Sequence, residues 1–228
     1  MGWMDVLIGV ICIISCIKGW LKGWFVSAFQ VGEFFIAGIA AKKYYSEVSA
    51  FFFDQPIFSS IIQGRIFNRL QSASYPQAVP ESILAEQSIF QRLNLPYWLE
   101  QSLMESETVK VYSAGAIEGR LPLFSGMLTE IVIDFLSIFL VFVGAKVVLS
   151  IVGHLLKPIG KRFGRNQWAG LLFGLTRGLF MVFILFGLLV PILIVTGSPV
   201  LIEGLEGSVF ARMIYDNNPI AWLIQSEM

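Results

Sequence analysis

The stretch Asn166-Gln-Trp-Ala-Gly-Leu-Leu-Phe-Gly-Leu-Thr-Arg-Gly178 places three glycines, Gly170, Gly174 and Gly178, four residues apart. On an α-helix this spacing puts all three on one face, where the backbone of a second helix can approach closely. Small-residue ladders of this kind are typical of helix packing inside a lipid bilayer. We therefore predict that the three glycines are helix-packing residues and that Arg177 lies beside their groove.

Two interpretations of this ladder differ in how deep they place Arg177 in the membrane. If the fourth membrane span begins near Trp168, the ladder is a buried seam and Arg177 lies about 13 Å deep, level with Glu33, with which it would pair. If the span begins at Gly178, residues 166–177 form an interfacial or re-entrant helix. An internal similarity favours the second interpretation, because residues 19–25 and 174–180 share the pattern Gly-x-x-basic-Gly-x-Phe.

The composition indicates an integral membrane protein. Hydrophobic residues make up 56% of the chain and charged residues 14%, whereas roughly a quarter of a soluble domain is charged. The formal net charge is zero, which gives no argument for a nucleic-acid partner. The single histidine, His154, cannot build a histidine-based metal site. Cys12 and Cys16, four residues apart in an apolar run, are predicted to pack rather than to form a disulfide.

Four apolar runs are long enough to cross a hydrocarbon core roughly 30 Å thick. The first keeps Asp5 where a cleaved signal peptide would carry positive charge, so we expect it to stay in the mature protein. The predicted spans cover residues 3–21, 23–41, 124–145 and 178–195. The third span is expected to continue as an amphipathic extension that ends near Pro158 and Gly160.

The segment between the second and third spans has a different character. It holds most of the prolines and contains no run long enough to span a membrane. Apolar spacing predicts short amphipathic helices over 57–70, over 80–93 and after Pro96, and so much apolar surface favours a helical cap. The predicted organisation is a transmembrane hairpin (1–43), a cap (44–123), a second hairpin with a basic turn (124–195) and a tail (196–228).

The basic residues predict the orientation of the chain. Both short turns carry lysine or arginine without an acidic partner, so both are expected to be cytoplasmic. These residues are Lys18, Lys22, Lys157, Lys161, Arg162 and Arg165. With four spans the N-terminus, the cap and the C-terminal tail then face outside. Lys42 and Lys43 would also lie on the outer side, which is contrary to this rule. The predicted fold is an all-α polytopic membrane protein with four transmembrane helices in two hairpins and an extracytoplasmic helical cap.

Charged residues inside the predicted spans are the candidate functional groups. Glu33 lies about 15 Å along the second span from Gly23, near the middle of the hydrocarbon core. An intramembrane charge usually faces protein or water, and often serves transport. The candidates are Glu33, Asp134, Lys146 and Arg177. Glu130 and Asp134 share a helical face, which fits either a proton or cation relay or two carboxylates that reach the interface.

The motifs of common enzyme classes were not found in the sequence. It holds no Gly-x-Ser-x-Gly elbow, phosphate-binding loop, dinucleotide fingerprint or His-Glu-x-x-His helix. We therefore expect a protein without catalytic residues, cofactor or bound metal.

Several short motifs, in their order, resemble the colicin V production protein family. They are Trp3-Met-Asp5, Gly19-Trp-Leu-Lys-Gly23, the ladder with Arg177, the segment 93–99 and Asn217-Asn-Pro219. The last two are similar to the longer, Gram-positive type of member. The resemblance implies a multi-pass protein of the bacterial inner or plasma membrane that is linked to the production or export of a peptide toxin. It implies no catalytic mechanism, and the large cap departs from compact members.

Two functions follow as hypotheses. The first is an accessory or scaffold protein that assists toxin export or envelope homeostasis, with the bilayer, a second copy or an export-machinery protein as its partner. The second is a small transporter or oligomeric channel in which the four candidate charges line a hydrated path. Neutralising Glu33 would cost stability or assembly in the first case, and flux in the second.

Overall fold

The computed structural model describes residues 2–74, 95–105, 117–160 and 166–219, and its regular structure there is entirely helical. Four of the eight helices in these ranges, α1, α2, α5 and α6, are long and apolar enough to cross a membrane, as the sequence predicted. The helices are α1 (Trp3–Lys22), α2 (Trp24–Phe53), α3 (Pro56–Ser74), α4 (Tyr97–Glu105), α5 (Ile117–Gly160), α6 (Gln167–Thr196), α7 (Pro199–Glu206) and α8 (Val209–Asp216).

Three of the long helices exceed the predicted spans. α2 passes through Lys42 and Lys43 and ends at Phe53, beyond the predicted boundary at 43. α5 has an apolar part from Pro122 to His154 and continues to Gly160, which agrees with the predicted extension. α6 is about 45 Å long, more than the roughly 30 Å of a hydrocarbon core.

α6 begins at the ladder itself. The Asn166 side chain caps its start, because the Asn166 Oδ1 accepts a hydrogen bond from the Ala169 N–H at 3.2 Å. The helix then continues without interruption to Thr196. Residues 167–177 are therefore the first turns of α6, and the separate interfacial or re-entrant helix that the internal similarity favoured is not formed.

α1 packs mainly on α6 rather than on α2, its neighbour in sequence. The ladder of α6 meets a second four-residue series, Ser15 and Gly19 on α1 and Gly23 directly after it. A Cβ atom on Gly170 would stand 2.5 Å from the Gly19 carbonyl oxygen, and one on Gly174 would stand 2.5 Å from the Ser15 carbonyl oxygen. The two backbones touch at this crossing, so a side chain added at Gly170 or Gly174 would collide with backbone atoms.

α6 is the central helix of the bundle. It contacts α1 on its glycine face and also packs on α2 and α5, which form the other large helix pair. Its second half buries a series of large apolar side chains, namely Val182, Phe186, Val190, Leu193 and Ile194. Because α6 packs on all three of the other long helices, it fixes their positions in the bundle.

Short helices pack around one end of this bundle. α3 and α4 join the same apolar core as the first half of α5, with Ile66, Leu70, Leu99 and Leu103 fully or almost fully buried. α4 buries Trp98, Leu99 and Leu103, the apolar residues from which a helix after Pro96 was predicted. For α3 the apolar spacing was read from Ile57, Phe58, Ile61, Ile62, Phe67 and Leu70, and it is only partly correct. Ile62 and Leu70 are buried, whereas Ile57, Phe58 and Ile61 are exposed and Ile66, which the prediction left out, is fully buried. The predicted helix over 80–93 lies outside the described residues.

Arg69 of α3 closes the C-terminal end of α6. Its Nη1 donates hydrogen bonds to the carbonyl oxygens of Leu193 and Ile194, the second at 2.8 Å. Burial lowers the pKa of the Arg69 guanidinium, and the negative end of the α6 dipole offsets this cost. Gly197 ends the helix in the left-handed conformation with φ 56°, and its lack of a side chain leaves room for the guanidinium.

Asp5 of α1 caps a helix that is two hundred residues away in sequence. Its carboxylate accepts hydrogen bonds from the N–H groups of Val209, Phe210 and Ala211, at 3.2, 3.0 and 3.1 Å. These are the first residues of α8, whose own N-cap residue, Ser208, makes no side-chain capping bond. A negative group at a helix N-terminus also interacts favourably with the helix dipole. The buried carboxylate thus attaches the short C-terminal helices to the start of α1.

Replacing Asp5 with alanine is expected to loosen α8 while the long helices stay assembled. Three backbone donors lose their acceptor, so amide hydrogen exchange over 209–216 should accelerate by at least about tenfold. Hydrogen exchange followed by mass spectrometry in a lipid nanodisc measures this. The control is Glu203→Ala, since Glu203 is exposed in the neighbouring α7. Equal exchange of 209–216 in both variants and the wild type would contradict the capping role.

Candidate functional site

Polar side chains from three of the long helices meet between α2, α5 and α6. α2 contributes Gln30 and Glu33, which are three residues apart and therefore share a helix face. α5 contributes Lys146, and α6 contributes Arg177 from the edge of the glycine ladder. We refer to Gln30, Glu33, Lys146 and Arg177 as the polar cluster.

An ion pair between Glu33 and Lys146 is the centre of the polar cluster. The Lys146 Nζ lies 2.5 Å from the Glu33 Oε2, and the side chain of Glu33 is only 6% exposed. The same Nζ donates to the Gln30 carbonyl oxygen at 3.3 Å and lies 3.9 Å from the centroid of the Phe34 ring. The ammonium group thus has a carboxylate, a carbonyl and an aromatic face as neighbours, all of which stabilise a cation.

Arg177 joins the polar cluster through an amide. Its Nη1 donates to the Gln30 Oε1 at 2.8 Å, so Gln30 accepts from both cations, with its side chain and with its backbone. The predicted ion pair between Glu33 and Arg177 is replaced by the pair between Glu33 and Lys146. Lys146 therefore faces the bundle interior and does not belong to an amphipathic surface.

A glycine on α5 provides the space for the Glu33 carboxylate. A Cβ atom on Gly153 would stand 2.8 Å from the Glu33 Oε1 and 2.9 Å from the ring of Phe29. Gly153 and Lys146 are seven residues apart, two helical turns, and so lie on one face of α5. This face therefore offers Glu33 both a cation and a recess, which the sequence pattern alone did not reveal.

Asp134, the fourth candidate charge, lies elsewhere. It accepts a hydrogen bond at 2.5 Å from the Ser49 Oγ, which lies near the C-terminal end of α2. Ser49 is sixteen residues beyond Glu33, about 24 Å along the helix axis. Glu130 is exposed one turn before Asp134, so the two carboxylates of the predicted relay have different surroundings. The structure therefore brings three of the four candidate charges together.

The polar cluster is one ion pair, between Glu33 and Lys146, joined to Arg177 through the Gln30 amide. It holds one carboxylate and two cations, which interact through hydrogen bonds between helices. Within the described ranges no group of three histidine, cysteine, aspartate or glutamate side chains could hold a metal ion. Its four residues therefore tie α2, α5 and α6 together.

An apolar cavity of about 730 Å³ lies beside the polar cluster, between α2, α5 and α6. Phe34 belongs to both, since its ring contacts the Lys146 ammonium and lines the cavity. The other walls are mainly aromatic and aliphatic, and Lys42 and Lys43 are the charged lining residues within the described ranges. The sequence signal for this cavity was the phenylalanine content of all three helices.

Comparisons with known proteins give no relative for this chain. No protein family, no curated protein and no solved structure matches it.

Proposed function

We propose that this chain is a multi-pass membrane scaffold that assists toxin production or export, or envelope homeostasis, without catalysing a reaction. One observation carries this proposal: Glu33, Lys146 and Arg177 are engaged in contacts between helices, and the cavity next to them is apolar. A hydrated path needs polar groups that face water, whereas paired charges in a helix interface fix the arrangement of the helices. The resemblance to the colicin V production protein family supplies the link to toxins.

The proposed position of the bilayer follows the exposed apolar side chains. Along α1 they occur from Trp3 to Leu21, and on α6 they are densest from Trp168 to Leu185. On α5 they are concentrated at Leu140, Val143, Val147, Val148, Ile151 and Val152. Contacts put these segments at one level, because the end of α1 meets the start of α6. Since α1 is about 30 Å long, this belt matches one hydrocarbon core, with the polar cluster near its middle.

The remaining helical parts would then stand outside the belt. The ends of α2 and α6 and the first half of α5 form the proposed extracytoplasmic cap together with α3, α4, α7 and α8. The basic turns after α1 and before α6 are assigned to the cytoplasm, and both termini to the outside, in a bacterial plasma membrane. Lys42 and Lys43 fall just beyond the belt, at headgroup level, which accounts for lysines on the outer side.

Reconstituted liposomes test the scaffold against the alternative of a transporter or oligomeric channel. We expect proton and cation flux through wild-type liposomes to equal that of empty ones, and Glu33→Gln to leave it unchanged. A flux that requires the wild type, and that folded Glu33→Gln abolishes, would overturn the scaffold proposal and establish transport. Size-exclusion chromatography of both proteins in detergent confirms that the variant is folded.

The same preparations report on assembly. A scaffold acts through partners, so we propose that the cap or the lipid-facing surface binds a second copy or an export-machinery protein. Cross-linking in the native membrane, followed by mass spectrometry, distinguishes these partners. A chain that yields only monomers, with no cross-linked protein, would count against a scaffold.

A further inference from the structure

We propose that the apolar cavity between α2, α5 and α6 holds one acyl chain of an anionic phospholipid, whose headgroup binds at Lys42 and Lys43. This inference rests on the proposed position in the membrane but is independent of whether the chain acts as a scaffold. It concerns a ligand for a part of the molecule to which the scaffold proposal assigns no role.

The apolar walls of the cavity favour a hydrocarbon chain as the ligand. Among the described residues its lining contains seven phenylalanines together with isoleucine, leucine, alanine, glycine and proline, and Lys42 and Lys43 are the charged members. A cavity of about 730 Å³ falls within the range of roughly 300–1,000 Å³ that small-molecule sites occupy. Apolar cavities exclude water and accept apolar ligands, because only such ligands restore dispersion contacts to the walls.

The positive charges of Lys42 and Lys43 favour an anionic headgroup. They lie at one end of the cavity and Phe34 lies towards the other, eight residues or about 12 Å away along α2. Among the residues that the structure describes, no acidic side chain belongs to the lining, so the cavity combines a cationic end with an apolar interior. Lysine binds phosphate as a point charge and attracts anionic lipids near a membrane surface. The site is therefore complementary to an anionic phospholipid, with a cationic end for the headgroup and an apolar interior for an acyl chain.

The position of the cavity in the bilayer agrees with a lipid ligand. Phe35 and Ile39 line the cavity and are also exposed at 58% and 70%, so its wall is continuous with the lipid-facing surface of α2. A chain from the surrounding bilayer could thus enter from the side while its headgroup stays at the interface. A soluble ligand would instead have to cross the cap, which makes a membrane lipid the favoured occupant.

A glycine provides a variant that fills the cavity without disturbing the fold. Gly38 lines the cavity, and a Cβ atom there would meet nothing within 4 Å. Gly38→Leu should occupy the space of the acyl chain. Gly32 on the same helix also has open space but is not among the lining residues, so Gly32→Leu is a matched control. Both changes replace a poor helix former by a good one, and both variants should therefore fold.

Native mass spectrometry of delipidated protein, titrated with phosphatidylglycerol or phosphatidylcholine, tests the proposal. We expect the wild type and Gly32→Leu to retain phosphatidylglycerol at least about tenfold better than phosphatidylcholine. Gly38→Leu should lose retention of both lipids, and Lys42→Gln with Lys43→Gln should lose only the preference. Equal retention by Gly38→Leu and Gly32→Leu would overturn the site, and an unchanged preference in the lysine variant would overturn the headgroup assignment. Neither result depends on flux or partners.

Discussion

Replacing Gly174 with leucine is expected to prevent α1 from packing on α6 and to leave little folded protein. A Cβ atom at this position would stand 2.5 Å from the Ser15 carbonyl oxygen and 3.1 Å from the Gly19 Cα. Both are backbone atoms, so they cannot move aside as the end of a flexible side chain could. Overpacking in well-packed cores usually costs 1–3 kcal/mol, and we expect a loss of at least about 3 kcal/mol here because two backbones must separate.

Unfolding in a titration with sodium dodecyl sulfate, followed by far-UV circular dichroism, measures this loss. Gly9→Leu is the control, since Gly9 lies on α1 and a Cβ atom there would meet nothing within 4 Å. Its helix propensity should improve, so the midpoint should stay the same or rise. If Gly174→Leu unfolds at the same midpoint as Gly9→Leu, the close crossing does not stabilise the bundle.

The partner of the ladder shows where sequence reasoning reached its limit. Both four-residue series are visible in the sequence, Gly170 to Gly178 and Ser15 to Gly23. The pairing of the two series is not visible in the sequence. Gly23 alone joins α1 to α2, and so short a connection favours the prediction that these two helices pack on each other. The structure instead pairs the two small-residue faces, since only there can the backbones approach closely enough to gain dispersion contacts along the full crossing.

Hydropathy predicted that spans exist but not where their helices end. Lys42 and Lys43 interrupt the apolar run, yet α2 continues because Tyr45 and Ser49, four residues apart, are buried on its inner face. The helices α7 and α8 were missed in the tail for a related reason. Each has eight residues, too short for stable helicity on its own, and α8 depends on a capping carboxylate from α1.

The polar cluster was predictable in its members but not in its pairing. Intramembrane position alone identified Glu33, Lys146 and Arg177. The choice between Lys146 and Arg177 as the ion-pair partner depends on the register of α2 against α5 and α6, and a shift of one turn, about 5.4 Å, would exchange them. Register is set by packing, here by the recess at Gly153, and a single sequence carries no signal for it.

Breaking the Glu33–Lys146 pair from either side should have unequal effects. Glu33→Leu leaves two cations, Lys146 and Arg177, without a carboxylate inside the bundle, and should cost about 3–5 kcal/mol, as expected when one member of a buried ion pair is removed. Lys146→Leu should cost less, because Arg177 already reaches Gln30, three residues from Glu33, and can approach the carboxylate. We therefore expect the unfolding free energy to be highest for the wild type, lower for Lys146→Leu and lowest for Glu33→Leu.

The double variant Glu33→Leu with Lys146→Leu decides whether the pair is a structural unit. Replacing a whole buried pair by apolar residues is often neutral or stabilising, so the double variant should be more stable than Glu33→Leu alone. A double-mutant cycle on the same detergent titration gives the coupling between the two residues, which we expect to exceed about 1 kcal/mol. Additive losses would mean that the two side chains act separately. In that case the ion pair would not fix α2 against α5, and the main support for a scaffold would be lost.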